Sequence, residues 1–163
     1  MARHSAIRLT AGLLTIALAT ALAAAPAVPA CAQEATPALD AAHVVTASGD
    51  HLYRLEVAST PADKERGLMF RRYMPADRGM LFTFAKPRVV QFWMHDTYIP
   101  LDMLFVGADG RIVSIARDAQ PMSDAIVSSG VETAAVIEIN AGQAQAIGAA
   151  VGDRVTDEVA FKR

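Results

Sequence analysis

Hydrophobic and polar residues alternate in short runs along most of the chain after residue 50. Tyr53, Leu55 and Val57 alternate with charged residues, and this period of two predicts a strand with one face in solvent. Asp109-Gly110 predicts a tight hairpin between two apolar runs, because both residues tolerate positive φ. The apolar runs of strand length that follow the first strand lie at 80–84, 103–108, 111–117 and 134–139.

Helix signals occur at two places. Thr60-Pro61-Ala62-Asp63 is a capping box with proline in the first turn, and it predicts a helix that runs to about Arg72. Near the C-terminus, Asn140 is predicted to cap a second, short helix that Gly148 closes. The order of strand, helix, several strands, short helix and strand predicts an α+β fold. Its mostly antiparallel sheet is expected to curl into a small barrel or sandwich.

The first 32 residues have the layout of a secretory signal peptide. Arg3, His4 and Arg8 make a basic start, residues 9–25 are apolar, and Ala30-Cys31-Ala32 is a small-x-small cleavage site. The apolar run, of about 17 residues, is at the short end of what spans a bilayer. The small residues and prolines that follow it favour cleavage over a membrane anchor.

Cys31 is the sole cysteine of the chain, and it lies at this junction. Cleavage after Ala32 leaves a mature protein without a thiol or disulfide, in the periplasm or secreted. Cleavage before Cys31 would instead use Val28-Pro29-Ala30-Cys31 as a lipoprotein box, and the lipidated thiol would anchor the protein to a membrane. We favour the soluble product, with the lipoprotein as the alternative.

Residues 33–50 are rich in Ala, Pro and Thr with little periodicity, which predicts a flexible linker before a single domain at 51–163. The chain has 15 Lys and Arg, of which Arg3 and Arg8 lie in the signal peptide, against 17 Asp and Glu, so the mature net charge is −4. This charge argues against nucleic acid as a partner, because phosphate neutralisation needs a basic face.

Positive charge is concentrated between residues 63 and 88. This stretch has seven basic against three acidic side chains, a net charge of +4 beside an acidic remainder. A solvated helix face explains such a stretch, and a patch that faces an anion is the alternative.

The densest chemistry lies in residues 91–105, which contain the sole Trp and a proline-marked bend between two apolar strands. Loops held by rigid strands are common positions for functional side chains. In strand geometry Val90, Phe92 and Met94 share one face, so Met94 is predicted to belong to the core. The polar mouth that we expect around residues 93–102 consists of Trp93, His95, Asp96, Thr97 and Asp102, with Arg71 or Arg72 as its charge partner.

Several motifs occur in an order that is specific to one family. They are Gly67-Leu68-Met69, Gly79-Met80-Leu81-Phe82, Phe92-Trp93-Met94 with Thr97, Ile99-Pro100-Leu101-Asp102, and the ending from Ala141-Gly142 to Gly152-Asp153. Together they resemble the domain-of-unknown-function family 192 (DUF192), over roughly Leu52 to Phe161. The resemblance implies a compact, mostly β domain that is often exported in bacteria, and it implies no activity.

The resemblance also carries over to individual positions. It extends to Trp93, Thr97, Pro100 and Asp102, whereas His95-Asp96 stands where the family usually has a basic residue and Asn. Because an Asn donates as well as accepts and an ionised Asp only accepts, the hydrogen bonding at this position differs from the family pattern.

Binding without catalysis is the function that this pattern favours. An indole face beside hydrogen-bond acceptors suits an unknown small molecule, a sugar or a peptide, and it requires no cofactor and no metal. The structural alternative is that Asp96 and Thr97 tie the turn to its own backbone while Trp93 fills the core.

Two other functions are compatible with the same residues. One is hydrolysis, with His95 and either Asp96 or Asp102 as acid and base. We lean against an enzyme, because the mature chain keeps no cysteine and no Ser lies in a nucleophile-elbow context. The other is periplasmic copper binding through His95 and the thioethers of Met69, Met74, Met80, Met94, Met103 and Met122. Several of these methionines have the spacing of a core, where Met is ordinary packing material.

Export with cleavage near Ala32 is the first testable expectation, because the basic start, apolar run and small-x-small site occur in the required order. N-terminal sequencing of the exported protein should find Gln33 as the first residue. A chain that still begins at Met1 would contradict export, and a lipid-modified Cys31 would place the protein on a membrane.

Overall fold

The computed structural model describes residues 39–161. The predicted signal peptide, Cys31 and the first part of the predicted linker lie outside the described residues. Neither helix within residues 39–161 is long and apolar enough to cross a membrane.

A seven-stranded sheet forms the scaffold, with a separate two-stranded sheet beside it. The strands are β1 (Leu39–Thr46), β2 (Gly49–Ala58), β3 (Arg78–Arg88), β4 (Gln91–Phe92), β5 (Leu101–Val106), β6 (Ile112–Ala119), β7 (Val127–Ser128), β8 (Thr133–Asn140) and β9 (Arg154–Thr156). The large sheet has the order β6-β5-β8-β3-β2-β1-β9, and β4 pairs with β7. All neighbours are antiparallel except β2 and β3, which are parallel. The sheet curls into a half barrel, and its two edges meet at an isolated bridge between Arg111 and Arg154. The prediction of an α+β, mostly antiparallel fold is therefore confirmed.

The central strands β5 and β8 are buried on both faces. Every residue of β5 is buried, and neighbouring residues contribute to two separate cores. The first core contains Leu104 and Ile137, and the second core contains Met103 and Val136. A strand covered on both sides does not show a period of two in its hydrophobicity, which explains the unbroken apolar runs in the sequence.

The segment between β2 and β3 supplies the cover of the second core. Helix α1 (Pro61–Arg66) begins with the predicted capping box: Asp63 N–H donates to Thr60 Oγ1 at 3.1 Å, and Thr60 N–H donates to Asp63 Oδ2 at 3.0 Å. The helix ends earlier than predicted, at Arg66 instead of Arg72. Gly67 follows with a φ of 47° and faces the Phe82 ring, and the chain then turns so that Leu68 enters the second core.

The linker prediction is wrong for residues 39–50, because the domain already begins at β1. Strands β1 and β2 form a hairpin, paired from Leu39 with Glu56 to Thr46 with Gly49. The alternation in β1 is hard to detect because buried Ala42 and Val44 each lie beside an identical exposed residue, and the buried Asp40 follows the exposed Leu39. His43, expected to be solvated in a linker, lies 2.8 Å from the carboxylate of Asp50.

The predicted hairpin at Asp109-Gly110 is present between β5 and β6, although its loop is longer than two residues. Gly107 N–H donates to the Arg111 carbonyl at 2.8 Å, so five residues separate the strands. Gly110 has a φ of 74°, the left-handed conformation that the turn requires.

The second helix, α2 (Gln143–Ala146), is short, as expected, but Asn140 does not cap it. Gly142 occupies the N-cap position and offers no side chain. Asn140 instead donates from its amide to the carbonyls of Met74 and Pro75 at 2.9 and 3.1 Å.

Asp102 connects β5, β6 and α2. It is 1 % exposed and shares its face of β5 with Leu104 of the first core. Its Oδ1 accepts from Asp118 N–H and its Oδ2 from Ala144 N–H, both at 2.9 Å. Asp118 lies where the register of β6 shifts opposite Asp102, and Ala144 lies in the uncapped first turn of α2. Asp102 thus satisfies two backbone donors that neither the sheet nor the helix can pair.

Replacement of Asp102 by Asn should destabilise the domain by about 2–4 kcal/mol. The Asn side chain keeps one carbonyl oxygen but presents a donor to the other N–H, which leaves a buried donor unsatisfied. Chemical denaturation measures the free energy of unfolding. Asp77→Asn is the matched control, because Asp77 is 61 % exposed and has only a 4.0 Å contact with Arg78. Equal stability of the two variants would contradict the structural role of Asp102.

Candidate functional site

A cleft of about 630 Å³ opens beside α1, between residues 64–69 and the end of β3 with the segment that follows it. Four aromatic side chains contribute to its lining: Phe82, Phe84, Phe92 and Trp93. Phe82 and Phe92 meet edge to face, with ring centroids 5.2 Å apart. Leu68 and Leu101 add aliphatic surface, and the charged and polar side chains of the lining contribute about as much polar surface as these residues contribute apolar surface.

Glu138 is the acidic side chain on the inner wall of this cleft. It lies on β8, paired with Met80 of β3 and Met103 of β5, and it is 4 % exposed. Its carboxyl faces the second core and the cleft, and it has no hydrogen-bond or ion-pair partner among residues 39–161. Burial raises the pKa of Glu138 to about 8. The side chain is therefore a neutral acid at pH 7, able to donate a hydrogen bond into the cleft.

Basic side chains surround the outer part of the cleft. Lys64, Arg66 and Arg88 line it, against the single acid Glu65. Lys64 Nζ donates to the Thr83 carbonyl at 2.5 Å and lies 5.6 Å from the centroid of the Phe84 ring. The Arg88 guanidinium lies 5.1 Å from the same ring. Within the described part of the chain, none of these three cations forms an ion pair with a carboxylate.

Trp93 lines the cleft and is exposed. Val90 and Met94 point into the second core, so the intervening Trp93 points outward and remains 51 % exposed. The predicted division of faces and the core position of Met94 are confirmed, and the alternative in which Trp93 fills the core is wrong. The indole packs on the His95 ring at 5.4 Å between centroids, with 35° between the planes.

His95 lies outside the cleft lining, held between two carboxylates. Its Nδ1 is 2.7 Å from Asp124 Oδ1, and its Nε2 is 3.6 Å from Asp96 Oδ2. The hydrogen bond to Asp124, together with the charges of Asp96 and Asp124, raises the pKa of His95. Because its pKa is raised, a smaller fraction of His95 is in the neutral form that can accept a proton near neutral pH, and both ring nitrogens already face carboxylates.

The loop that carries Trp93, His95 and Thr97 is held by backbone hydrogen bonds to neighbouring segments, at residues with strained backbone conformations. Phe70, Asp96 and Met122 all have positive φ without being glycine, at 65°, 50° and 57°. Phe70 N–H donates to the Asp96 carbonyl at 2.8 Å, and Met122 N–H donates to the Thr97 carbonyl at 3.0 Å. Two neighbouring segments therefore hold the loop in one conformation, as is common at functional sites.

Thr97 is buried and lines the cleft, where its hydroxyl donates to the His95 carbonyl at 3.1 Å. Trp93 and Thr97 are thus the members of the predicted mouth that reach the cleft. His95 and Asp96 lie beside Trp93 on the outer surface.

The other three predicted site residues lie elsewhere. Asp102 faces the first core, on the side of the sheet opposite Glu138, so its predicted place at the mouth is wrong. Arg71 forms a bidentate ion pair with Glu56, with 2.6 Å between Nη1 and Oε1. The Arg72 guanidinium lies 5.2 Å from the Tyr98 ring centroid. Neither arginine lines the cleft or pairs with Asp102.

The methionines contribute mainly to packing. Met74, Met80, Met94 and Met103 are buried in the second core, Met69 lines the cleft, and Met122 is exposed. Within residues 39–161, no group of three or more His, Cys, Asp or Glu side chains is placed to hold a metal ion.

Sequence reasoning missed Glu138 and assigned no site role to Lys64, Arg66 or Arg88. The signal for Glu138 was a single charged residue inside the apolar run 134–139. A charged group at such a position is either paired with an opposite charge or neutralised by a shift of its pKa. The three cations belong to the basic stretch at 63–88, for which an anion-facing patch was one of two interpretations.

The free energy of unfolding should depend on pH through Glu138. The pKa of Glu138 is about 8 in the folded protein and has its ordinary value of 4.5 in the unfolded chain. Between these two pH values the folded protein holds a proton that the unfolded chain has lost. Stability contributed by this group therefore falls as pH rises through that window, by up to about 1.4 kcal/mol per pH unit. Glu138→Gln should lack this slope and be the more stable form at pH 8.

The matched control is Glu132→Gln, because Glu132 is exposed and lies just before β8. Denaturation of all three proteins from pH 5 to 9 should give parallel curves for the wild type and the control. A Glu138→Gln curve parallel to the wild type would contradict a buried neutral acid.

Two solved structures are similar to this chain. One, from Sinorhizobium meliloti 1021 and described as a candidate transcription regulator, is 44 % identical with a TM-score of 0.73, and the match covers 76 % of this chain and 97 % of that chain. The other, a protein of unknown function from Novosphingobium aromaticivorans DSM 12444, is 38 % identical with a TM-score of 0.73 and covers 80 % and 94 %. Among curated proteins, none matches the chain significantly.

The sequence profile of the DUF192 family, described as Uncharacterized ACR, matches residues 43–156. This range runs from β1 to the end of β9 and includes Glu138 and nearly all of the cleft-forming segments. The resemblance seen in the sequence motifs is confirmed, and the chain belongs to the DUF192 family.

Proposed function

We propose that this protein is an exported, non-catalytic module that binds a small molecule, a sugar or a short peptide in the cleft beside α1. The site includes Trp93 and Thr97 from the predicted mouth, but its inner end is Glu138 and not Asp102. The proposal keeps the predicted class of function, but the acidic group of the site comes from β8 and its basic side chains from α1 and β3.

The shape and lining of the cleft support binding. Ligand sites in proteins are commonly concave, about 300–1,000 Å³ in volume, and mostly apolar with a few placed polar groups. The cleft has about 630 Å³, aromatic walls and one carboxyl at the inner end. The loop beside it is held by Phe70 and Met122, so the site is largely formed before a ligand arrives.

Glu138 is the observation that carries the proposal. A buried polar group without a partner is unfavourable, because it has lost its hydration and gained no protein hydrogen bond. The unpartnered carboxyl faces an open cleft, where a ligand could supply the missing bond. A purely structural wall would be more stable with an apolar residue at this position.

The chemistry of the lining favours binding over hydrolysis. Thr97 is the hydroxyl-bearing side chain of the cleft lining, and its hydroxyl is already bonded to the His95 carbonyl. His95 faces Asp124 and Asp96 outside the lining, and Asp102 is on the other side of the sheet. Of the two predicted acid–base pairs, His95 with Asp102 is separated by the sheet, and His95 with Asp96 is in contact at 3.6 Å but lies outside the cleft lining.

The proposal includes the predicted export, which would place this function in the periplasm or the medium, with a membrane location only if Cys31 is lipidated. The role of a transcription regulator, given for the Sinorhizobium relative, is not part of the proposal. The net charge of −4 that cleavage would leave disfavours binding to the polyanionic DNA backbone.

Trp93 is the sole Trp of the chain and lines the cleft, so ligand binding should change the intrinsic tryptophan fluorescence of the protein. Titration with trileucine, cellobiose and octanoate tests the three ligand classes. At least one should bind saturably, with a Kd below about 1 mM.

Trp93→Ala should weaken that binding by about tenfold, measured by calorimetry, because an aromatic wall is lost. Since Trp93 is half exposed, this substitution should change the free energy of unfolding of the domain by no more than about 1 kcal/mol. Tyr73→Ala is the control, because Tyr73 is 77 % exposed and outside the cleft. If no probe binds saturably, or if both variants bind as the wild type does, the proposed function is wrong.

A further inference from the structure

Polarity changes along the cleft in a definite order. The exposed cations Arg66 and Arg88 lie at its outer part, the aromatic side chains Phe82 and Phe92 form its walls, and buried Glu138 lies at its inner wall. A ligand that matches this order has different groups at its two ends.

The outer part of the cleft matches a negative charge. Lys64, Arg66 and Arg88 outnumber Glu65 there, and none of the three has an acidic partner within residues 39–161. Lys64 is also held in place, by the Thr83 carbonyl and the face of the Phe84 ring. The Arg88 guanidinium also contacts this ring, 5.1 Å from its centroid, so two of the lining cations are held at Phe84.

The inner end matches a hydrogen-bond acceptor. Glu138 lies between Met80 and Met103 on a central strand, where an ionised carboxylate would be poorly solvated. The protonated acid has one O–H donor, and no acceptor in the described chain takes it. A ketone, ester, amide or hydroxyl oxygen of a ligand would accept this bond.

We propose that the ligand is an amphipathic anion, with its charged head at Lys64, Arg66 and Arg88, an apolar body along Phe82 and Phe92, and an acceptor oxygen at Glu138. This inference rests on the proposed function and specifies the chemical class of the ligand. A cation is disfavoured by the basic outer part of the cleft, and the aromatic side chains Phe82, Phe84 and Phe92 favour a ligand with an apolar body over a fully hydroxylated sugar.

Three probes with the same alkyl chain test the charge of the head group. Octanoate should bind about tenfold more tightly than octanol, and octylammonium should bind more weakly than either. Arg88→Gln should remove most of this preference for the anion. Arg54→Gln is the matched control, because Arg54 is exposed on β2 and does not line the cleft.

A second pair of probes tests the inner end. Octanoate and 7-oxooctanoate differ by a ketone oxygen at the end of the chain that would reach Glu138. In Glu138→Met, which cannot donate, 7-oxooctanoate should lose about threefold to tenfold in affinity relative to octanoate. Glu138→Gln can still donate and should keep the wild-type ratio.

The pH dependence of binding distinguishes the wild type from Glu138→Gln. Wild-type affinity for 7-oxooctanoate should fall above pH 8, where Glu138 loses its proton and faces the ligand as a second acceptor. Glu138→Gln, which has no proton to lose, should bind equally well at pH 6 and pH 9.

The outcomes distinguish this inference from the proposed function. Tighter binding of octanol or octylammonium than of octanoate would overturn the inference and leave a binding cleft of another specificity. An unchanged probe ratio in Glu138→Met would overturn the role of Glu138. If the protein sediments with phosphatidylglycerol vesicles but does not bind free octanoate, the proposal of a free ligand is wrong, and the anion belongs to a lipid surface.

Discussion

A carboxyl buried on a central strand without a partner is the constraint on which the structure of this cleft depends. Glu138 lies on β8, between two strands, with methionines on both sides. Burial on this strand penalises the charged form, and no donor within the described residues offsets that penalty, so the pKa of Glu138 is raised to about 8 and the group is a neutral acid at pH 7. The resulting loss of stability at higher pH is a cost that an apolar residue would not have.

Asp102 and Glu138 show how position decides the role of an acidic residue. Both are buried on neighbouring central strands, 1 % and 4 % exposed, yet they point to opposite faces of the sheet. Asp102 meets two backbone N–H groups that lack other partners, and both of its oxygens are satisfied. Glu138 meets apolar side chains and an open cleft. The first holds the fold together, and the second is available to a ligand.

Local signals in the sequence predicted local structure well. The capping box at Thr60, the hairpin at Asp109-Gly110 and the alternating faces around Met94 depend on residues close together in the chain, and the structure contains each of them. Strand β1 was missed because its buried side chains are small or charged. The early end of α1 was missed because Gly67 leads into a turn that only the packing against Phe82 makes evident.

The site was only partly predictable, because it combines segments that are distant in sequence. Trp93 and Thr97 were found from the density of functional residue types in one stretch, and they do line the cleft. Asp102 is close to them in sequence, but as a strand residue it faces the other way. Glu138, Lys64 and Arg88 line one cleft because β8 lies next to β3, and no single segment contains that information.

The most direct test of this account is the titration of the Glu138 carboxyl carbon by NMR in ligand-free protein labelled with ¹³C at glutamate side chains. Glu138→Gln assigns the resonance by its disappearance. The account predicts a midpoint at about 8, well above the ordinary value of 4.5. A midpoint near 4.5 would show that Glu138 is charged and solvated in the folded protein. The cleft would then present an anion, and its proposed role as a donor to an acceptor oxygen would be contradicted.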